Sequence, residues 1–214
     1  MPAHAKYSGG TGEPKDPYQI ATAADLIALG ESPDDYDKHF ILTADIDLDP
    51  KLPGRKVFDK AMIARSWESG FTGVFDGNGH RVLHPTIKGK DYDYGVGLFG
   101  YLKSGAEVMD LGVVDVNIAG SGDNIGGLAG ENFGAVTACY STGVVSGGSD
   151  VGGLVGCNSW RGTVTQCYSA AVVTGDGSIG GLVGENSWAT VTQCYSTGTV
   201  SGKSNLGGLV GSGS

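Results

Sequence analysis

No run in this sequence approaches the roughly 18 consecutive apolar residues of a membrane-spanning helix, and Met1-Pro2-Ala3-His4 opens without the apolar stretch of a secretory signal. Membrane insertion by a helix is therefore not expected, and the signal of a secreted parent would lie outside these residues. Basic residues are scarce: 14 Lys and Arg against 23 Asp and Glu give a formal charge of −9. That balance disfavours nucleic acid and anionic membranes as partners, because both need a basic face. Cysteine is scarce as well, with four in 214 residues. Three of them, Cys139, Cys167 and Cys194, fall at one repeated position.

What the chain has instead is glycine, 39 residues of it, placed periodically. The heptad Gly180-Gly181-Leu182-Val183-Gly184-Glu185-Asn186 echoes Gly152-Gly153-Leu154-Val155-Gly156-Cys157-Asn158 and Gly126-Gly127-Leu128-Ala129-Gly130-Glu131-Asn132, and a further copy begins at Gly207. A second signature keeps the same period: Cys139-Tyr140-Ser141-Thr142-Gly143, Cys167-Tyr168-Ser169-Ala170-Ala171 and Cys194-Tyr195-Ser196-Thr197-Gly198. Repeats of 20 to 50 residues build solenoids, propellers or arrays, in which each unit buries its apolar face against the next. Three short strands per repeat of about 27 residues suit a three-faced parallel β-solenoid better than a propeller, whose blades take about 40 to 50 residues. The crossover rule for parallel strands makes the coil right-handed.

Parity places Cys194, Ser196, Gly198 and Val200 on one inward face and turns Tyr140, Tyr168 and Tyr195 outward as a column. Val191 has the wrong parity to share an unbroken strand with Cys194, so a corner or bulge is expected between them. Asn132, Asn158 and Asn186 occupy equivalent positions, where stacked amides can bond along the column. Rungs about 4.8 Å apart leave parallel Cβ atoms too far apart for a relaxed disulfide, so the cysteine column reads as free, buried thiols. Cys157, off that column, reads as the accessible thiol.

Residues 1–70 read as an N-terminal capping region: a strand at Tyr18-Gln19-Ile20, a helix from Ala23 to Leu29 with Thr22 as N-cap and Gly30 at C′, and one alternating strand from His39 to Leu48. Residues 54–70 carry no clear periodicity. Residues 71–214 read as the solenoid, with a strand at Phe71–Phe75, a turn at Asp76-Gly77-Asn78-Gly79, a strand at Arg81-Val82-Leu83, and repeats starting near 97, 126, 152, 180 and 207.

The Gly-Gly-Leu-Val-Gly-x-Asn heptad followed by Cys-Tyr-Ser-Thr-Gly resembles the GLUG-motif family, glycine-rich repeats of bacterial surface and secreted proteins, over roughly residues 95–211. The segments Asp16–Ile20, Leu42–Leu48 and Phe75–His80 are similar to those that precede such repeats in right-handed parallel β-helix proteins. The resemblance implies an extracellular or cell-surface location and assigns no catalytic residue and no cofactor.

Candidate sites are few. Glu131 and Glu185, two rungs apart, could flank a water as paired carboxylates do in inverting glycosidases, but repeat position alone explains their spacing. Asp45, Asp47 and Asp49 alternate with apolar residues and could gather round Ca²⁺, or simply form an acidic solvent face. His39, His80 and His84 follow no metal-ligand spacing. Trp160 and Trp188, with the Tyr column, could offer a sugar-binding surface, or the two tryptophans could cover the edge of the solenoid. Threonines at 163, 165, 190 and 192 form short columns. Leu209 and Val210 begin a rung whose edge could accept a second copy end to end, or further repeats of one parent. These features favour a structural or adhesive module, able to stack into a filament; the alternatives are a carbohydrate-binding module and a pectin-lyase-like carbohydrate-active enzyme.

Overall fold

Each glycine-rich repeat becomes one coil of a parallel β-solenoid in the computed structural model, which describes residues 6–90 and 94–214. Among the described residues the strands stack into four sheets. One coil runs Gly177–Gly180, Val183–Ser187, Thr190–Thr192 and Tyr195–Ser196, continued by Val200–Gly202. The corresponding sheets are called here the short, Asn, Thr and Tyr walls. Equivalent residues sit in register from rung to rung: Ala129 opposite Val155 opposite Val183, and Tyr140 opposite Tyr168 opposite Tyr195. The expected three strands per repeat are four, because the Gly-Gly-Leu step bends the chain between the short wall and the Asn wall. At Gly152, Gly180 and Gly207 a Cβ would be driven into the carbonyl oxygen of Val155, Val183 and Val210, three residues on. Only glycine permits so tight a bend.

The second glycine of the heptad explains why the two sequence signatures keep phase. A Cβ on Gly153 would run into Ser169 Oγ, and one on Gly181 into Ser196 Oγ. Ser141 shows the contact at work, its hydroxyl donating to the Gly153 carbonyl at 2.6 Å. The heptad and the Cys-Tyr-Ser segment therefore face each other across a narrow interior, and a change of spacing between them would part the glycine from the serine it accommodates.

Inside the coils lie Leu128, Leu154 and Leu182, Ile125, Val151 and Ile179, Val136 and Val164, and Ala171 and Val173, all fully buried. Each such aliphatic side chain contributes about 1.5–3 kcal/mol relative to exposure. Towards the N-terminus the core becomes aromatic: Phe75 packs 6.4 Å from Phe40 and 5.4 Å from Phe99, ring centre to ring centre. Corners are made by single non-glycine residues in the left-handed region, Asp110, Ala138, Gln166 and Gln193 (φ 51, 53, 56 and 54°). They stand between the inward valines of the Thr wall and the cysteine column, so the parity break expected between Val191 and Cys194 is this corner.

Strands from the first 70 residues belong to the same sheets. Tyr18–Ile20 pairs with His39–Leu42, which pairs across residue 70 with Val74–Asp76 in the Thr wall. The expected strand from His39 to Leu48 is two, His39–Leu42 in the Thr wall and Ile46–Asp47 in the Tyr wall, because the coil turns at Thr43–Asp45. The strand expected at Phe71–Phe75 covers Val74–Asp76, with Phe71 bridging to Leu102. Residues 54–70 run irregularly, touching the solenoid by parallel bridges at Phe58 and Ile63. The helix Ala23–Gly30 has Thr22 as N-cap in a capping box with Asp25, and buries Leu26 and Leu29 in the core. Gly30 ends the helix rather than following it; Glu31 is the cap. Glycine is needed there because a Cβ would collide with the Met62 carbonyl.

Candidate functional site

Three inward columns carry polar groups, Asn, Cys and Ser, and the architecture takes up nearly all of them, Ser196 Oγ being buried without a hydrogen-bond partner. Asn132 Nδ2 donates to Asn158 Oδ1 and Asn158 Nδ2 to Asn186 Oδ1, each at 2.8 Å, while backbone carbonyls of Gly162, Thr163 and Thr190 take further contacts at 3.3 Å. The cysteines are all free. Each thiol of the column donates to the carbonyl two residues before it, at 3.1–3.2 Å, and Cys167 and Cys194 Sγ accept the amide N–H of the cysteine one rung back at 3.4 Å. Cysteine thus serves as a small apolar residue that still satisfies a corner amide.

Cys157 is not the exposed thiol that its place off the column suggested. It is 8% exposed, between Ser159 Oγ at 3.0 Å and Glu185, and burial pushes its pKa up to about 12. Cys194 is the least buried of the four, although its hydrogen bond with Cys167 holds its pKa far above that of a free thiol. Accessibility decides between these, because the strands around Cys194 have a neighbour on one side only and open most readily. Native-state labelling with a maleimide at pH 7 should therefore be slow overall and enter at Cys194 first. Peptide mapping that finds Cys157 or Cys139 modified first would contradict this burial order.

Outward-facing residues are arranged quite differently. Trp160 and Trp188 stand 74% and 75% exposed at the turn between the Asn and Thr walls, so they do not cover the solenoid edge. Both have positive φ, 44° and 54°, and their amides are tied to the carbonyls of Ser187 and Ser214, which fixes the backbone that presents the indoles. Next along the coil come Thr163 and Thr165, or Thr190 and Thr192, flanking the inward Val164 and Val191. Then follow Gln166 or Gln193, and the tyrosines. Tyr140, Tyr168 and Tyr195 stack with ring centres 4.8 and 5.0 Å apart and planes within 1° and 4°. Their faces are therefore occupied by one another, and the column offers ring edges and hydroxyls. In the preceding rung Phe133 takes the tryptophan's place and packs 4.9 Å from Trp67, over which Lys103 Nζ sits at 3.1 Å.

The aspartates proposed for Ca²⁺ are each engaged elsewhere. Arg81 holds Asp45 by Nη2 at 2.5 Å and Nε at 3.1 Å, with His80 3.5 Å away. His84 Nδ1 lies 2.9 Å from Asp47, and the Asp49 carboxylate accepts the Lys51 amide at 3.0 Å. Among the described residues no group of three or more His, Cys, Asp or Glu side chains is arranged to hold a metal ion. The His84 arrangement was invisible to motif spacing: Asp47 and, at 3.8 Å, Asp115 flank the ring from two other rungs and raise its pKa. A cleft of about 390 Å³ opens beside it, lined by Asp49, Lys51, Thr86, Asp115 and Asn117. It holds no nucleophile aligned with the imidazole.

The repeat geometry and the comparisons with known proteins converge. Residues 175–201 match the GLUG motif. Halomucin of Haloquadratum walsbyi is 35% identical over 151 residues, and a protein of Evansella cellulosilytica provisionally named a Gly-rich membrane protein is 32% identical over 199. These matches take in 69% and 73% of this chain but only 2% and 22% of the relatives' own lengths. Among solved structures, a Bacteroides ovatus protein provisionally named an immunoglobulin A1 protease superposes with a TM-score of 0.75 at 23% identity, over 98% of this chain and 66% of that one. At that identity the likeness is one of fold.

Within the glycine-rich rungs one variable position decides local charge. Glu131, Cys157, Glu185 and Ser212 are register partners on the outer side of the Asn wall, close to Asn124, Asp150 and Ser178. Asn124 donates to Glu131. Glu131 and Glu185 are thus separated by Cys157, and the one basic group that acts on Glu131, Lys103, does so only through its charge. Burial raises the pKa of both Glu131 and Asp150, aided at Asp150 by the charge of Glu185. An acid whose folded pKa is raised is bound to its proton more tightly in the folded state, so its contribution favours folding at low pH and is lost as pH rises through the folded value. Glu131→Gln, which keeps the acceptor for Asn124, should raise the melting temperature at pH 7 by about 2–4 °C, the effect of roughly 1 kcal/mol in a chain of this size. At pH 4 the gain should vanish. A scanning-calorimetry series showing an equal gain at both pH values would refute the desolvation argument.

Proposed function

We propose that this chain is a non-catalytic structural module of a longer extracellular or cell-surface protein, one segment of a GLUG-repeat rod. The observation that carries the reading is the commitment of the repeated inward polar positions to packing: Asn bonds to Asn, Cys to the corner amides and Ser fits against Gly. The named relatives support the location, and the small share of their length that this chain spans fits a segment of a rod. A chemical centre has little support, since the paired glutamates are separated by Cys157 and the carboxylates flanking His84 come from two different rungs. The test is protease shaving of intact cells that make the full-length parent. Peptides from residues 95–211 should be released before any cytosolic marker, and their recovery only after lysis would sink the proposal.

The same reading extends to assembly. Leu209 and Val210 are half-buried, and the strands Thr190–Thr192 and Val210–Gly213 have a neighbour on one side. Either further rungs of the parent or a second copy of this chain would pair there, giving a rod or a filament. Light scattering at micromolar concentration distinguishes them: concentration-dependent growth that Leu209→Lys with Val210→Lys removes supports self-stacking, whereas a monomer at every concentration leaves the edge to further rungs.

A further inference from the structure

The outward face of the Thr wall in the last three rungs differs from the rest of the surface. In a chain of net charge −9, the residues turned outward along these rungs are Ala135, Thr137 and Tyr140, then Thr163, Thr165, Gln166 and Tyr168, then Thr190, Thr192, Gln193 and Tyr195. None carries a carboxylate or a basic group. The side chains of Thr163, Thr165, Thr190, Thr192, Gln166 and Gln193 make no hydrogen bond to another protein group among the described residues. This contrasts with the inward Asn, Ser and Cys columns, whose groups are almost all paired. Along one border of the strip stand the two exposed indoles, and along the other the tyrosine hydroxyls.

The geometry points to this strip as a binding face for a neutral polysaccharide, the chain lying across successive rungs with sugar rings on Trp160 and Trp188 and hydroxyls on the Thr and Gln side chains. The inference takes the module reading above as its starting point, in that the face is a passive surface and not a catalytic cleft. Four features select this ligand class. Trp160 and Trp188 are about three-quarters exposed, so the indole faces are free, unlike those of the mutually stacked tyrosines; apolar C–H faces of sugar rings suit such aromatics. The neutral hydroxyl and amide groups match a ligand made of hydroxyls. Basic groups are scarce here, Arg161 sharing a depression of about 230 Å³ with Glu107 and Arg81 beside Tyr140 being held by Asp45, which disfavours phosphate or uronate ligands and nucleic acid. Finally, rungs 4.8–5.0 Å apart, as the tyrosine rings measure them, repeat on the scale of one pyranose ring, so a polymer meets equivalent groups at each step. The threonines lie in sheet and the tryptophan amides are tied to carbonyls, which leaves little backbone ordering for binding to cost.

Affinity electrophoresis of the whole 214-residue chain tests this, in native gels cast with hydroxyethylcellulose, xyloglucan, galactomannan, soluble starch or, as a charged comparison, polygalacturonate. Retardation in at least one neutral gel and none in polygalacturonate is expected. Trp160→Ala with Trp188→Ala should weaken the retardation at least tenfold, and Thr190→Val with Thr192→Val severalfold, with circular dichroism and melting temperature unchanged. Migration unaltered in every neutral gel would overturn the proposal, as would retardation that survives both pairs of substitutions. If the tryptophan pair instead alters only the oligomeric state, the face is a protein contact and the proposal fails. None of these outcomes bears on where the parent protein resides, which protease shaving decides separately.

Discussion

Leu154→Asp should abolish the cooperative fold of the glycine-rich rungs. Leu154 is fully buried in a central rung, and its backbone is bonded to both neighbours, accepting from the Leu128 amide and donating to the Leu182 carbonyl, each at 2.9 Å. Removing the side chain alone costs about 2–5 kcal/mol, and placing an unpaired carboxylate in an apolar interior costs several more. Native domains have about 5–15 kcal/mol in all. Because a solenoid couples each rung only to its neighbours, the loss should be regional, spreading from rung 152 into those that stack on it. The phenylalanine-filled rungs around Phe40, Phe75 and Phe99 should survive longest. Limited proteolysis should cut first between residues 126 and 211, and the strand signal in circular dichroism should fall. A parity control sharpens the result: Val173 is buried and Val172 is 43% exposed, so Val173→Asp should unfold the protein while Val172→Asp changes its melting temperature by only a degree or two. Equal effects of the two would mean that the face assignment is wrong.

That parity was readable from the sequence, since alternation and period alone place Cys139, Ser141 and Val145 inside and the tyrosines outside. The repeat registers, the asparagine column and the corner before Cys194 followed in the same way, because each depends on neighbours within one repeat length. What escaped is what the repeat pattern does not encode. The Gly-Gly-Leu bend that splits one wall into two depends on a contact between Gly180 and Val183 that any glycine pair could have made or not. Cys157 was misread because its burial comes from Ser159 and Glu185, which no property of the cysteine itself signals. For Trp160 and Trp188 the sequence left open whether they cover an edge or offer a surface, because the backbone that holds them out at the turn, with amides tied to the Ser187 and Ser214 carbonyls, is set by the neighbouring rung. The engagement of Asp47 by His84 joins residues 37 positions apart in a region with no regular repeat. Aromatic column, indole pair and threonine strip were each visible singly; only the coil path shows that they border one another on one face.

The strongest polar test lies in the asparagine column. Asn158 is fully buried; its Oδ1 accepts from Asn132, and its Nδ2 points at Asn186 Oδ1 and at the carbonyls of Gly162 and Thr190. Asn158→Ala leaves a buried donor on Asn132 and two or more acceptors with fewer partners, at about 1–3 kcal/mol for each group left unsatisfied. A loss of roughly 3–5 kcal/mol, and hence a fall of about 10 °C in melting temperature, is expected. Asn186→Ala should cost distinctly less, because water reaches that half-buried end of the column. Asn158→Asp separates hydrogen bonding from packing. The carboxylate fills the same volume but can only accept, so it repels Asn186 Oδ1 and both carbonyls while being denied water. Its folded pKa must therefore rise above the ordinary carboxylate value, the proton being bound more tightly in the folded state. Stability should then recover as pH falls towards 4, where the protonated acid again donates, and be lost as pH rises through the folded pKa. At neutral pH Asn158→Asp should be less stable than Asn158→Ala, and at pH 4 the order should reverse. Melting curves for the two variants that keep the same order at both pH values would show that volume, and not the direction of the amide hydrogen bonds, holds the column together.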